Sequence, residues 1–114
     1  MTNVIAEYTE RGYACRIRRI PSMGYLCGYV QLPVDHPWLK LDLQLGEGPT
    51  CHGGITFGPD YPDYERWIGF DCAHAEDFCP GPFGSRGVLR DEPFVRSELS
   101  GIITQAEGAL CKTS

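Results

Sequence analysis

The residues of this chain with the types and spacing to do chemistry gather in two short strings, CHGGITF at 51–57 and RWIGFDCAH at 66–74. Together they hold two of the three histidines, His52 and His74, with an aspartate, Asp71, and an aromatic, Trp67. Two imidazoles and a carboxylate make a reasonable nitrogen-and-oxygen set for zinc, with water completing the shell. The same trio suits general acid–base work, one histidine being oriented by the Asp71 carboxylate. A third reading needs no chemistry: the trio caps the ends of a sheet, with Asp71 accepting backbone N–H bonds. No named spacing motif decides among the three. The chain has no CxxC pair, so neither a zinc ribbon nor a thioredoxin-like motif is written in it. Cys72 has no nucleophile signature around it, which makes covalent catalysis through its sulfur a poor expectation.

Elements must bring these residues together. If 51–57 and 66–73 pair as an antiparallel hairpin across the polar turn GPDYPDYE, Phe57 lies near Trp67 and His52 near Asp71 to Ala73. His74 follows immediately, so the trio shares one rim. Register decides whether His52 shares a face with Asp71 or with His74. His36, in an earlier loop, either reaches that rim or misses it. Gly53 and Gly54 follow His52, while Gly28 and Gly69 interrupt neighbouring strand-like runs. Glycines inside strands mark the close approach of a ligand or of other protein groups. Here they predict either a bare floor for a ligand or room for Tyr25, Tyr29, Trp67 and Phe70 to pack.

The rest of the chain supplies a scaffold. YACRIRRI at 13–20 alternates, with Tyr13, Cys15 and Ile17 on one face and Arg16 and Arg18 on the other. After the turn at 21–24, YLCGYVQL at 25–32 reads as its hairpin partner, and Pro33 ends the ladder. LKLDLQL at 39–45 alternates as a short edge strand would, and residues 77–90 read as a loop. At the tail, Asp91 is a helix N-cap with Glu92 and Pro93 in the first turn. Val95, Leu99, Ile102, Ile103, Ala106 and Leu110 form one apolar stripe. Gly101 and Gly108 cost that helix stability, which predicts close packing on the sheet. The expected fold is α+β: a small antiparallel sheet of four to five strands in two hairpins, with one C-terminal helix, about 92–110, packed on a face. Residues 1–114 read as a single domain.

Composition narrows the function. A net charge of −5 and a pI near 5.0 argue against broad nucleic-acid binding, but leave room for one small anion where arginines converge. No apolar run approaches the roughly 20 residues of a membrane span. The first residues lack an apolar h-region, so no signal peptide is expected and the six cysteines are expected to be reduced thiols. Cys15, Cys27 and Cys72 sit in apolar runs and read as small buried hydrophobes.

The strings CGYVQLPVDHP, HGGITF and WIGFDCAH, in that order before a terminal helix, resemble a family of small uncharacterised proteins encoded by bacteriophages and prophages. The resemblance runs from about Tyr13 to Leu110. The family pattern corresponds here to Cys27, Gly28, Tyr29, His36, Pro37, His52, Gly53, Gly54, Trp67, Gly69, Phe70, Asp71 and His74. This chain departs from it in longer loops at 33–50 and 58–65. What the resemblance implies is a phage-encoded accessory protein in the bacterial host cytosol, of the kind that counters host defence.

These readings combine into one leading expectation and two rivals. The leading one is a binding module for a small polar ligand such as a nucleotide immune signal. His52, Gly53, Gly54, Asp71 and His74 would hold the ligand, Tyr29 and Trp67 would wall it, and Arg16 or Arg18 would meet a phosphate. No cofactor is required. The first rival is a small metal-dependent hydrolase using His52, His74 and Asp71, with zinc the expected ion. The second is an inhibitor that blocks a host defence protein through the acids Asp60, Asp63, Glu65, Glu76 and Asp77. Self-association is left open by the sequence.

Overall fold

Alternating side chains in four segments build one antiparallel sheet, as seen in a computed structural model of the chain. Its strands are β1 (Val4–Glu10), β2 (Tyr13–Arg19), β3 (Leu26–Gln31) and β4 (Trp67–Asp71), adjacent in that order. A 3-10 turn, Pro37–Lys40, lies in the long connection between β3 and β4. After β4 come two short parallel strands, β5 (Asp77–Phe78) and β6 (Val88–Leu89), and then the helix α1 (Glu92–Lys112). The structure describes residues 3–21, 24–41, 48–51, 54–56, 66–72, 77–78, 88–89 and 91–112, with side chains for all but 77–78, 88–89 and 111–112.

The helix covers one face of the sheet. Ile17, Val30, Ile68 and Phe70 point into it, and Val95, Leu99, Ile102, Ile103 and Ala106 answer from α1, none with measurable exposure. Fully burying each such side chain contributes about 1.5–3 kcal/mol, so this layer dominates the stability of the fold. Gly28 sets the spacing. A Cβ at this position would sit 2.8 Å from Val95 Cγ1 and 2.9 Å from Phe70 Cε1, so only glycine lets the helix lie this close to β3. Asp91 caps α1, its Oδ1 accepting from the Phe94 N–H at 3.1 Å.

The expected hairpin of β2 and β3 forms, with Cys15 opposite Val30 and Ile17 opposite Gly28. The second hairpin of the sheet is a different one. β1 pairs with β2 through a two-residue turn at Arg11 and Gly12, whose φ values of 51° and 85° suit a type I′ turn. The Arg11 guanidinium then donates to Ser100 O at 2.8 Å, Thr104 Oγ1 at 3.0 Å and Glu107 Oε1 at 2.9 Å, pinning the hairpin tip to α1.

Four expectations need correction. Within the sheet β4 pairs with β3, and the described part of 51–57 forms no strand beside its other edge. Within 51–57, the Thr56 N–H donates to Gly69 O at 2.9 Å, but the Gly54 N–H turns back to Cys51 O, so no ladder runs through the described part. Leu39 and Lys40 belong to the 3-10 turn rather than to an edge strand, because Pro37 and the His36 cap start a helical turn there. The loop expected at 77–90 contains the β5–β6 pair. Finally, Gly101 and Gly108 are exposed with open space around them, and Leu110 keeps 39% of its surface, so the buried stripe ends before it. The helix approaches the sheet at Gly28, on the strand side, and its own glycines face away.

Candidate functional site

Strand alternation sends every second side chain of the sheet to the face away from α1. Register then arranges them in rows. Glu7 stands opposite Arg16, Arg16 opposite Tyr29, and Tyr29 opposite Gly69. In the next row Arg18 faces Cys27 and Cys27 faces Asp71. On the other side Thr9 pairs with Ala14, and Gln31 with Trp67. Arg16, Arg18, Tyr29, Trp67 and Asp71, expected around one ligand, therefore do share one face.

Gly69 lets this face close up. A Cβ there would fall 2.6 Å from Tyr29 Cδ1, so the Tyr29 ring lies across the bare backbone of β4. The ring is buried, and loss of solvent pushes its phenol well above the ordinary value despite Arg18, whose Nη1 lies 3.5 Å from the hydroxyl. Burial also pushes the Cys27 thiol up to about 11. Gly28 and Gly69 are thus packing glycines, one for each face, and the expectation of a bare ligand floor at these two positions is not met. Gly54 differs: it holds a φ of 81° in a turn, with open space where a side chain would stand.

Arg16 stands at the centre of this face. Its guanidinium lies 4.6 Å over the Trp67 ring, a cation–π contact. One terminal nitrogen comes 3.8 Å from Glu7 Oε2, close enough for attraction and too far for a hydrogen bond. Its Nε is buried and has no hydrogen-bond partner among the described residues. Beside this stack runs an open groove of about 300 Å³ bordered by Glu7, Thr9, Ala14, Arg16 and Trp67, with Tyr8 and Cys15 between them. Glu7 was missed by the sequence reading. The signal was present in the alternation of Val4, Ala6 and Tyr8, which turns Glu7 outward next to Arg16.

The histidines divide. His36 is 1% exposed and stands on the helix side. Its Nδ1 accepts from the Trp38 N–H at 3.1 Å, which leaves Nε2–H to donate to Ala106 O at 3.0 Å. It ties the loop after β3 to α1. His52, Gly53 and His74 lie outside the described residues, and with them the rim trio of His52, Asp71 and His74. Among the described residues no group of three His, Cys, Asp or Glu side chains could hold a metal ion.

Cys15, Cys27 and Cys72 are buried, as their apolar runs predicted, and these three and Cys51 are free thiols. Burial pushes Cys51 up to about 11 as well, so neither Cys27 nor Cys51 is a thiolate nucleophile near neutral pH. Among the described residues no helix is long and apolar enough to cross a membrane. No known family model, curated protein or solved structure matches the chain.

Proposed function

We propose that the protein is a binding module that holds a small anionic ligand of the nucleotide class on the sheet face opposite α1. The observation that supports this is Arg16 stacked on Trp67 at the border of a groove, with a buried Nε that no described group satisfies. An unmet buried donor costs about 1–3 kcal/mol, and the half-exposed terminal nitrogens of the same guanidinium offer donors to a phosphate oxygen in the groove. Trp67 offers the second half of a nucleotide site, since stacking a base on an aromatic ring contributes about 1–3 kcal/mol. Glu7 tempers the charge of Arg16 without occupying its hydrogen-bonding positions. The net charge of −5 favours one small anion over a nucleic-acid strand.

Binding needs no nucleophile, which suits a face whose buried thiol is held protonated. In the setting implied by the CGYVQLPVDHP, HGGITF and WIGFDCAH strings, the ligand is a nucleotide immune signal, and sequestering it in the host cytosol counters defence. The test is equilibrium dialysis of the purified chain against a panel of linear and cyclic nucleotides, followed by recovery of each. The reading expects at least one to be depleted from solution and recovered intact, with Arg16→Gln weakening its binding more than tenfold. A nucleotide recovered as hydrolysis products would favour the hydrolase, and a panel with no binding would defeat the proposal.

A further inference from the structure

The groove beside Arg16 is one of two depressions that meet on this side of the sheet. The second, of about 260 Å³, is bordered by Gln31, Pro33 and Arg66 and shares Thr9 and Ala14 with the first. Ala14 is small, so the divide between the two is low. Trp67 borders the first depression, and its chain neighbour Arg66 borders the second. Each depression therefore has one arginine, and the indole belongs to the strand residue that follows Arg66.

Arg66 sits where the β3–β4 ladder ends. Its φ of 69° is left-handed, a conformation that strains a non-glycine residue. The Arg66 carbonyl accepts from the Leu32 N–H, and its Nε donates back to Leu32 O at 2.9 Å. That clamp fixes the side-chain stem. Among the described residues the two terminal amino groups make no hydrogen bond, so a preorganised cation borders the second depression with donors to spare.

We infer that the site takes a ligand with two phosphate groups carried on linked nucleosides, one phosphate meeting Arg16 and the other Arg66. This rests on the nucleotide-binding reading above and extends it from one phosphate to two. The experiment is isothermal titration of the full chain with adenosine monophosphate and with the linear dinucleotide pApA, which carries a terminal phosphate and a phosphodiester. The expected result is that pApA binds at least tenfold more tightly than the mononucleotide. Arg66→Gln should erase that difference by weakening pApA, and Arg16→Gln should weaken both ligands. The comparison on the unaltered chain stands even if a variant fails to fold. Equal affinities for the two ligands would overturn the inference and leave the nucleotide reading intact. Binding of neither would overturn both.

Discussion

The two faces of the sheet come from the same strands and have opposite characters. Toward α1, the centre of the layer is apolar and closed: Gly28 sits where Val95, Phe70 and Leu99 leave no space, and the side chains around it have no measurable exposure. Away from α1, the same strands present Glu7, Arg16 and Trp67, charged or amphipathic groups bordering an open groove and only partly satisfied by one another. A fold needs its first face and has no thermodynamic use for an unmatched guanidinium on its second. The contrast teaches that stability is concentrated on one side, which leaves the other side for the binding proposed above.

The largest break in that contrast should come from the helix side. Truncating Leu99 or Ile103 to alanine removes a fully buried branched side chain, and should cost about 2–5 kcal/mol in denaturant unfolding. A variant that unfolds at the parent's midpoint would mean that α1 does not hold the sheet. Next is His36→Ala, which leaves the Trp38 N–H and Ala106 O without their partner and should cost about 1–3 kcal/mol.

A smaller effect comes from alkali. Burial raises Cys27 and Cys51 from 9.0 to about 11, so the folded state holds each thiol in its neutral form. That contribution is complete below pH 9.0 and is lost as pH climbs through about 11, because the unfolded chain releases those protons first. The melting temperature should therefore fall across that window, and Cys27→Ala should flatten the fall. The smallest effect has the opposite sign. Gly101 is exposed in mid-helix with nothing near a new Cβ, and Gly101→Ala should stabilise the chain by about 0.5–1 kcal/mol.

The apolar half of this picture was legible in the sequence because it is periodic. The 3.6-residue stripe of α1 and the alternation of Tyr13, Cys15 and Ile17 each name a buried face without reference to anything distant. β1 was overlooked because its turn is Arg-Gly, lacking the Asn-Gly or Asp-Gly that announces a type I′ hairpin. The register of β4 on β3 was illegible for another reason. That pairing spans the whole connection from Leu32 to Arg66, and nothing local sets it. The same long-range pairing is what brings Trp67 beside Arg16. Five of the expected ligand residues, Arg16, Arg18, Tyr29, Trp67 and Asp71, thus share one face through a pairing that the chain does not advertise, while the places of Glu7 and Arg66 emerged only from the three-dimensional register.

The division between a stabilising face and a binding face is tested most directly by measuring stability and nucleotide binding on the same two variants, Arg16→Gln and Trp67→Ala. An exposed cation–π pair contributes about 0.5–1 kcal/mol, so both variants should unfold near the parent's midpoint. Both should lose more than tenfold in affinity for the nucleotide that the parent depletes from solution. Variants that unfold like Leu99→Ala, or that bind as the parent does, would contradict the account.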